Sequence, residues 1–392
     1  MSINHLVAEP TAIHGDLAAI FVSLELSRSN WLITSLSPGA GEKMSRHSVP
    51  GGDVAGLLAR FASLQKKALA RTRRRYRLVV VQEAGLDGFW LHRVLQAEGI
   101  ESHVVDAGSI AMPRRRRRAK TDRIDGEILL RALLAYKRGE PRVCSMVVAP
   151  TPEAEDRRRV CREYKTLIGE RVRQVNRIKG LLFSQGVRGY QPLRRDRRQK
   201  LAGLRTGDGR ALPRQLTAEI SRELDRLELL LDQLKAVAAE RQAMLAAATG
   251  EAGVPAVPTL LLGLRGIGPD FAAGLWSEGL YRDFANRRKL AAYAGLTATP
   301  WRSGALVHEQ GVSKAGNPRL RTTMIQLAWL WLRHQPQSAL SRWFRDQAKR
   351  GRQGWRKTAI VALARKLLVA LWKYVRHGVI IEGAVLKDGT TM

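Results

Sequence analysis

The run Leu78-Val-Val-Val81 constrains the possible folds more than any other stretch of this sequence. Successive side chains of a strand point to opposite faces, so four apolar residues in a row need cover on both faces. Such a strand belongs in the middle of an open sheet with helices on either side. Glu83 follows at its carboxyl end, where open α/β sheets place ligand sites.

The flanking segments supply the other members of such a sheet. Residues 18–26 alternate in a period of two and residues 31–36 return after a turn, which predicts a hairpin carrying Glu25. The whole order predicts a mixed central sheet with helices on both faces. In sequence, the expected elements are strands at 18–26, 31–36 and 42–49, a helix at 53–70, the strand at 77–83, a helix at 90–99, a strand at 102–105 and a helix opened by Asp122.

Beyond Pro150 the strand pattern ends and long helical patterns begin. Residues 153–182 predict a basic helix, and residues 186–214, rich in Gly and Arg, read as a linker or as a segment that orders on nucleic acid. A second long helix has apolar residues stepping by four and three, which predicts either a coiled-coil dimer contact or one amphipathic helix packed on its own domain. The stepping residues are Ile220, Leu224, Leu227, Leu231 and Leu234.

The 392 residues are enough for two or three domains, each with its own core. The expected fold class is α/β plus all-α. We expect a mixed-sheet domain over 15–150, a helical linker with the candidate coiled coil over 151–249, and a mainly helical domain over 250–392.

Two features of the last domain bear on function. Its turn Gly266-Ile-Gly268 suits a phosphate at a helix N-terminus, although a glycine turn before a proline is also an ordinary way to start a helix. After Leu296 we expect an irregular stretch, 297–318, which holds Ser303.

Positive charge dominates the composition. Lys and Arg total 67 against 35 for Asp and Glu, a formal net charge of +32. Each phosphate that such residues neutralise releases counterions and adds affinity without reading sequence, so nucleic acid is the expected partner. The densest arginine clusters are residues 71–75, 114–118, 157–159 and 194–198.

Several other classes of protein are excluded by composition. No run reaches the ~18 uncharged apolar residues that span a bilayer, and the apolar stretch at 20–26 follows acidic residues, unlike a secretory signal. Cys144 and Cys161 have no CxxC spacing, which excludes a zinc ribbon and a disulfide framework. We therefore expect a bacterial cytoplasmic protein that associates with the nucleoid and not with a membrane.

Four carboxylates form the candidate catalytic cluster: Glu25, Glu83, Asp122 and Asp125. Asp122 and Asp125 lie three residues apart at a helix start and share a face. Carboxylate oxygens are the ligands that Mg²⁺ needs for phosphoryl transfer. Each residue also has a structural interpretation, since Asp122 can cap the helix, Asp125 can favour its first turn, Glu25 can face solvent and Glu83 can pair with an arginine. The four together, in this order, favour a Mg²⁺ site.

The order of these motifs resembles insertion-sequence family one-hundred-ten, bridge-RNA-guided transposases with a RuvC-like (RNase H-like) DEDD domain and a C-terminal serine domain. The likeness spans about residues 18–335. It departs at Glu25, which stands where the family has Asp and lengthens the reach of the carboxylate by one methylene. The matching residues are Glu25-Leu-Ser, Glu83-Ala-Gly, Lys120-Thr-Asp-Arg-Ile-Asp125, Gly266-Ile-Gly-Pro, Phe284, Leu290-Ala-Ala-Tyr-Ala-Gly-Leu296, Ser303-Gly304 and Gly316-Asn-Pro-Arg-Leu-Arg321.

The resemblance implies that Ser303 attacks a DNA phosphate to give a covalent phosphoserine link, with Mg²⁺ at the acidic cluster. Only His308 lies near Ser303 in sequence, so the implied activation comes from the metal site, across a dimer or tetramer interface. The resemblance also implies a structured noncoding guide RNA that pairs with donor and target DNA, which explains a basic protein without a major-groove reader. Ser313 is the natural control for Ser303.

Contacts to nucleic acid are expected from basic residues near these motifs and from the glycine turn. The arginine run at 114–118 abuts the acidic cluster, so we expect it to guide phosphate into that cluster. The full set is Arg114, Arg115, Arg116, Arg117, Arg118, Lys120, Arg173, Arg177, Lys179, Gly266, Gly268, Arg302, Lys314, Arg319 and Arg321.

Three other functions stay open on the sequence. A RuvC-like junction nuclease would use water in place of Ser303, and a DNA invertase of the same family would rearrange one fixed locus. A non-catalytic nucleic-acid-binding protein would keep the acids for structure alone. Loss of Mg²⁺-dependent strand exchange in Asp122→Ala and Asp125→Ala would separate an enzyme from that last class.

Overall fold

The computed structural model describes residues 18–40, 43–85, 88–110, 122–248, 256–303, 306–313, 316–350 and 355–388. The chain forms two compact units, Met1–Pro150 and Thr151–Met392. The division into three domains stays a prediction. In the described part of the chain, no helix combines the length and apolarity that a membrane crossing requires.

The first unit is built on a five-stranded mixed sheet in the order β3-β2-β1-β4-β5. β2 pairs antiparallel with β1 and with β3, whereas β4 pairs parallel with β1 and with β5. The predicted central position of the apolar strand is confirmed, because β4 has a neighbour on each side. The strands are β1 (Ala19–Leu26), β2 (Asn30–Leu36), β3 (Ser45–Pro50), β4 (Arg77–Glu83) and β5 (Glu101–Val105).

Helices cover both faces of this sheet. One face carries Val22 and Val80 against α1 (Val54–Thr72) and α2 (Trp90–Ala97). α1 begins at Asp53, whose side chain accepts the N–H of Gly56 at 2.8 Å. The opposite face packs against α3 (Asp122–Lys137). In this second core, Phe21, Val79 and Val81 of the sheet lie with Leu129 and Leu133 of α3. The predicted fold class is confirmed.

The second unit begins with two long helices, α4 (Pro152–Phe183) and α6 (Arg214–Ala246). Ile178 packs with Ile220, and Leu167 packs with Leu234, so the helices run antiparallel. The stepping apolar residues of α6 therefore lie against α4 of the same chain. This contact matches the amphipathic-helix interpretation, and a coiled coil between two chains stays a prediction.

The segment between these helices folds back on them. Val187, Tyr190 and Leu201 enter the core formed by α4 and α6, and 197–202 form the short helix α5 (Arg197–Ala202). Two glycines allow a close crossing of the loop, because a Cβ on Gly186 (φ +76°) would lie 2.9 Å from Gly207 Cα. Residues 186–214 thus form a packed cap on the helix pair instead of an extended linker.

The rest of the second unit is mainly helical, with one exception that sequence reasoning missed. Within the stretch 297–318, which we expected to be irregular, β6 and β7 pair as an antiparallel hairpin. Its alternation is obscured by Pro300 and by a register shift between Ala298 and Pro300. The elements are α7 (Val257–Gly263), α8 (Pro269–Leu275), a π-helical turn (Trp276–Leu280), α9 (Arg287–Tyr293), β6 (Ala298–Ser303), β7 (Leu306–Val312), α10 (Pro318–His334), α11 (Ala339–Arg350) and α12 (Trp355–His377).

Candidate active site

Glu25 and Glu83 lie side by side at one edge of the sheet. β1 and β4 are parallel neighbours, and Leu24 is paired with Gln82, so the next residue of each strand is a glutamate. Both glutamates line one open cleft of about 400 Å³, and Oε1 of Glu25 is buried there. The structure therefore brings together two acids that are 58 residues apart in sequence.

The first turn of α3 rests beside Glu25. Ser23 Oγ donates a hydrogen bond to the backbone oxygen of Gly126 at 2.6 Å. An ideal Cβ on Gly126 would lie 3.8 Å from Glu25 Cγ and 2.7 Å from Thr34 Oγ1, so any larger residue would force Thr34 or the helix to shift. Asp125 directly precedes Gly126 and is half-buried. All four predicted acids thus belong to elements that meet at this edge, and the side chains of three of them are described.

The fourth acid, Asp122, begins α3, and its side chain lies outside the described residues. Among the described side chains, no group of three or more His, Cys, Asp or Glu is close enough to hold a metal ion. The donors that share the cleft, Glu25 and Glu83, are carboxylates of the type that Mg²⁺ prefers. These carboxylate oxygens are suitable ligands for a divalent cation. Arg114 to Arg118 and Lys120 lie outside the described residues.

Ser303 ends β6 and is paired with Leu306, the first residue of β7. The side chains of Ser303 and Arg302, like the whole of Lys314, lie outside the described residues. The control residue Ser313 lies at the opposite end of the hairpin, where its N–H donates to Thr297 O at 2.8 Å.

A buried carboxylate joins the start of α10 to α4. Glu278, in the π-helical turn, is 2% exposed. Arg162 of α4 donates to both of its oxygens, from Nε at 2.9 Å and from Nη2 at 3.1 Å. Asn317, five residues after β7, donates from Nδ2 to Glu278 Oε2 at 2.8 Å and to Glu278 O at 3.2 Å. We call these three residues the Glu278 network.

The motif Gly316-Asn-Pro318 has a local structural role in this network. A Cβ on Gly316 (φ +92°) would lie 2.5 Å from the backbone oxygen of Tyr293, so the position requires glycine. Asn317 Oδ1 accepts the N–H groups of Arg319 and Leu320 and so caps α10, with Pro318 as its first residue. Neither Arg162 nor Glu278 was predicted from the sequence, although a lone charge within Leu275-Trp-Ser-Glu-Gly-Leu280 is a signal of a buried pair.

Comparison with known proteins decides the family. Residues 259–343 match the family described as "Transposase IS116/IS110/IS902 family", and residues 40–185 match DEDD_Tnp_IS110, described as "Transposase". The chain is 69% identical over 395 residues to "Putative transposase y4rJ" of Sinorhizobium fredii (strain NBRC 101917 / NGR234), which covers 99% of each chain. The chain belongs to the IS110 family of transposases.

Family membership confirms the resemblance drawn from the motifs. The chain is a transposase, an enzyme that cleaves and rejoins DNA, and its first unit has the RNase H-like fold of a DEDD domain. The DEDD match covers Glu83, Asp122 and Asp125, whereas Glu25 precedes it. The second match covers Ser303, Glu278 and Asn317.

The other predicted nucleic-acid contacts of the transposase are mostly exposed, and several also have a partner within the chain. Arg173, Arg177 and Lys179 are exposed on α4, and Arg319 is exposed in the first turn of α10. The partners are a Glu170 oxygen 3.8 Å from Arg173 Nη2, a Glu223 oxygen 3.4 Å from Arg177 Nε, Gln191 Oε1 3.4 Å from Lys179 Nζ, and Ser313 O 3.4 Å from Arg321 Nη1.

The glycine turn has a packing role. A Cβ on Gly266 (φ +90°) would lie 2.7 Å from His334 Cβ, so the turn needs glycine to pass the end of α10. Gly268 is the N-cap residue of α8, which has 7 residues. Phosphate binding by this turn stays a prediction.

Burial alone raises the pKa of Glu278, but the hydrogen bonds from Arg162 and Asn317 outweigh it, so the pKa lies below its ordinary value. The bond to Glu278 in turn raises the pKa of Arg162. Nearby, burial and the neighbouring Tyr293 raise the pKa of Tyr281 to about 12. Glu278 is therefore ionised at neutral pH and the pair is an ion pair.

The close approach of α3 to β2 is testable by filling the space at Gly126. We expect Gly126→Ala to lower the free energy of unfolding by about 1 kcal/mol, because the collision of the new methyl with Thr34 Oγ1 costs more than alanine gains over glycine in a helix. Urea denaturation of the full chain measures the loss. Thr34→Ala removes the colliding hydroxyl, so the double variant should lose less than the sum of the single losses.

Gly180→Ala is the matched control, since a Cβ on Gly180 of α4 meets no atom within 4 Å. It should not destabilise the chain, because alanine favours a helix over glycine. Strictly additive losses in Gly126→Ala and Thr34→Ala would contradict the collision.

The Glu278 network predicts a pH dependence of stability. A carboxyl whose pKa is lower in the folded state stabilises the fold above its ordinary pKa of 4.5, and this contribution is lost as pH falls through the lower folded value. Glu278→Gln should therefore lower the free energy of unfolding at pH 7 and flatten its decline below about pH 4.5. Denaturation across this pH range measures both effects, with the exposed Glu163→Gln as control. Parallel pH curves for Glu278→Gln and the native chain would refute the network's role.

Proposed function

We propose that this transposase is an RNA-guided DNA recombinase that joins strands through a phosphoserine intermediate. Glu25, Glu83, Asp122 and Asp125 would bind Mg²⁺, and Ser303 would be the nucleophile. The observation that carries the metal site is the shared cleft of Glu25 and Glu83 beside the first turn of α3. The serine role rests on the family resemblance of its motif, and Ser303 is the last residue of β6.

In the proposed reaction, Ser303 Oγ forms a bond to a DNA phosphorus while the bond from that phosphorus to a DNA oxygen breaks. The leaving oxygen takes up a proton and the serine loses one, so protons balance. Attack by a second DNA hydroxyl on the phosphoserine rejoins the strand and restores the serine. Bound Mg²⁺ would neutralise charge that develops on the phosphate.

Strand exchange between donor and target needs more than one serine, so we propose that a homo-oligomer, a dimer or a tetramer, acts on DNA. The net charge of +32 supports the binding of both DNA and a structured guide RNA. Sequencing of RNA that co-purifies with the full chain tests the guide. Abundant RNA transcribed from the flank of the gene is the expected result, and random cellular RNA would contradict it.

Ser303→Ala tests the nucleophile. We expect loss of the covalent protein–DNA adduct and of strand joining, because alanine has no Oγ that could bond to the phosphorus. The adduct is measured as a DNA-linked band on a denaturing gel, and Ser313→Ala, at the other end of the hairpin, should retain it. Strand cleavage that persists without an adduct in Ser303→Ala would favour a water-using nuclease instead.

Glu83→Gln tests the acidic cleft, because it keeps the shape of the side chain and removes its charge. We expect Mg²⁺-dependent cleavage to fall by more than about a hundredfold, a loss beyond that of an outer partner of a metal ligand. The exposed Glu140→Gln, in the same unit, should leave the rate unchanged. If both variants cleave DNA at the same rate, Glu83 is not a metal ligand.

A further inference from the structure

We propose that the tip of the α4–α6 pair binds an unpaired nucleotide of RNA or DNA, with its base stacked on Phe183. A cavity of about 300 Å³ opens there, which we call the tip pocket. The residues that define it are Lys179, Phe183, Val187, Arg188, Tyr190 and Gln191. The inference rests on the nucleic-acid partner of the proposed function, but not on Ser303 or on the acidic cleft.

Phe183 presents its ring to solvent at this pocket. It is the last residue of α4 and is 61% exposed, whereas the preceding Leu182 is 1% exposed and belongs to the core. The Arg188 guanidinium carbon lies 5.2 Å from the ring centroid of Phe183. An exposed aromatic face beside a cation is the arrangement on which proteins stack bases of single strands.

The charges around the pocket fit a nucleotide. Lys179 and Arg188 are exposed cations, and the described residues that line the pocket include no carboxylate. Lys179 Nζ lies 3.4 Å from Gln191 Oε1, so a cation for phosphate and an amide for a base edge lie next to each other. The pocket thus offers Lys179 to the phosphate of a nucleotide, Gln191 to the edge of its base and Phe183 to the face of its base.

The pocket is held in shape by contacts of its own. Val187 N–H donates to Leu182 O at 3.1 Å and Gly207 N–H donates to Gln185 O at 2.8 Å. Tyr190, 8% exposed, donates from its hydroxyl to Arg197 O at 2.8 Å. A site formed before binding loses little conformational freedom when the ligand enters.

A second cavity along the same helix pair provides the matched control. It measures about 430 Å³ and contains Leu229, which is 59% exposed, close to the exposure of Phe183. Arginines also line this cavity, but Glu170 lies among them, and none of the described lining residues is aromatic. Leu229→Ala therefore removes a similar exposed apolar side chain from a basic surface without removing a stacking face.

The test measures binding of the full chain to labelled strands of roughly 10 nucleotides. Oligo-uridine RNA, oligo-thymidine DNA and an abasic strand of equal length are compared by fluorescence anisotropy at one salt concentration, because backbone contacts depend on salt. We expect the abasic strand to bind about tenfold more weakly than the better of the other two. Phe183→Leu should lose that tenfold preference, Phe183→Trp should keep it, and Leu229→Ala should bind as the native chain does.

Photocrosslinking locates the contact. A 5-iodouridine RNA and its DNA counterpart should crosslink to the peptide that contains Phe183, and the strand that crosslinks identifies whether RNA, DNA or both occupy the pocket. An abasic strand that binds as tightly as the others, or a Phe183→Leu chain that keeps the preference, would overturn the inference. A native chain that binds none of the strands would overturn the nucleic-acid partner of the proposed function itself.

Discussion

In the second unit, the buried carboxylate of Glu278 pairs with the half-buried Arg162 and links segments that are far apart in the chain. A buried carboxylate is stable only when charged and polar partners replace the water it loses, and here Arg162 and Asn317 do so. The three residues come from α4, the π-helical turn and the start of α10. Since Asn317 also caps α10, the network links the start of α10 to the long helix that begins the unit.

In the first unit, a close approach of α3 to the sheet positions the candidate site. Glu25 and Glu83 are placed by strand register, and the small size of Gly126 lets α3 approach Glu25 closely. A carboxylate cluster that binds a cation must be held together against its own repulsion, so rigid strands and a tightly seated helix are suitable supports. In both units a close backbone approach at a glycine or a buried polar contact positions the elements that carry the candidate site residues.

Sequence patterns predicted the parts of the fold that are governed by local periodicity. The apolar run of β4 and the alternation of β1 gave the mixed sheet, and with it the edge shared by Glu25 and Glu83. The Arg162–Glu278 pair has no such pattern, since its members are 116 residues apart. The stepping leucines of α6 predicted an apolar stripe correctly, yet a stripe does not specify which helix covers it, and α4 of the same chain does.

Clustered arginines in a sequence do not measure the free positive charge of a surface. In the cluster at 194–198, Arg194 pairs with Asp196, and Arg197 and Arg198 both pair with Glu228, so these cations stabilise the cap on the helix pair. Exposed ion pairs of this kind contribute little stability each, but they neutralise charge that a phosphate would otherwise meet. Isolated cations in a carboxylate-free pocket, such as Lys179 and Arg188, retain that charge. The positive charge that this chain can offer to a phosphate therefore depends on the absence of nearby carboxylates as much as on the density of arginines.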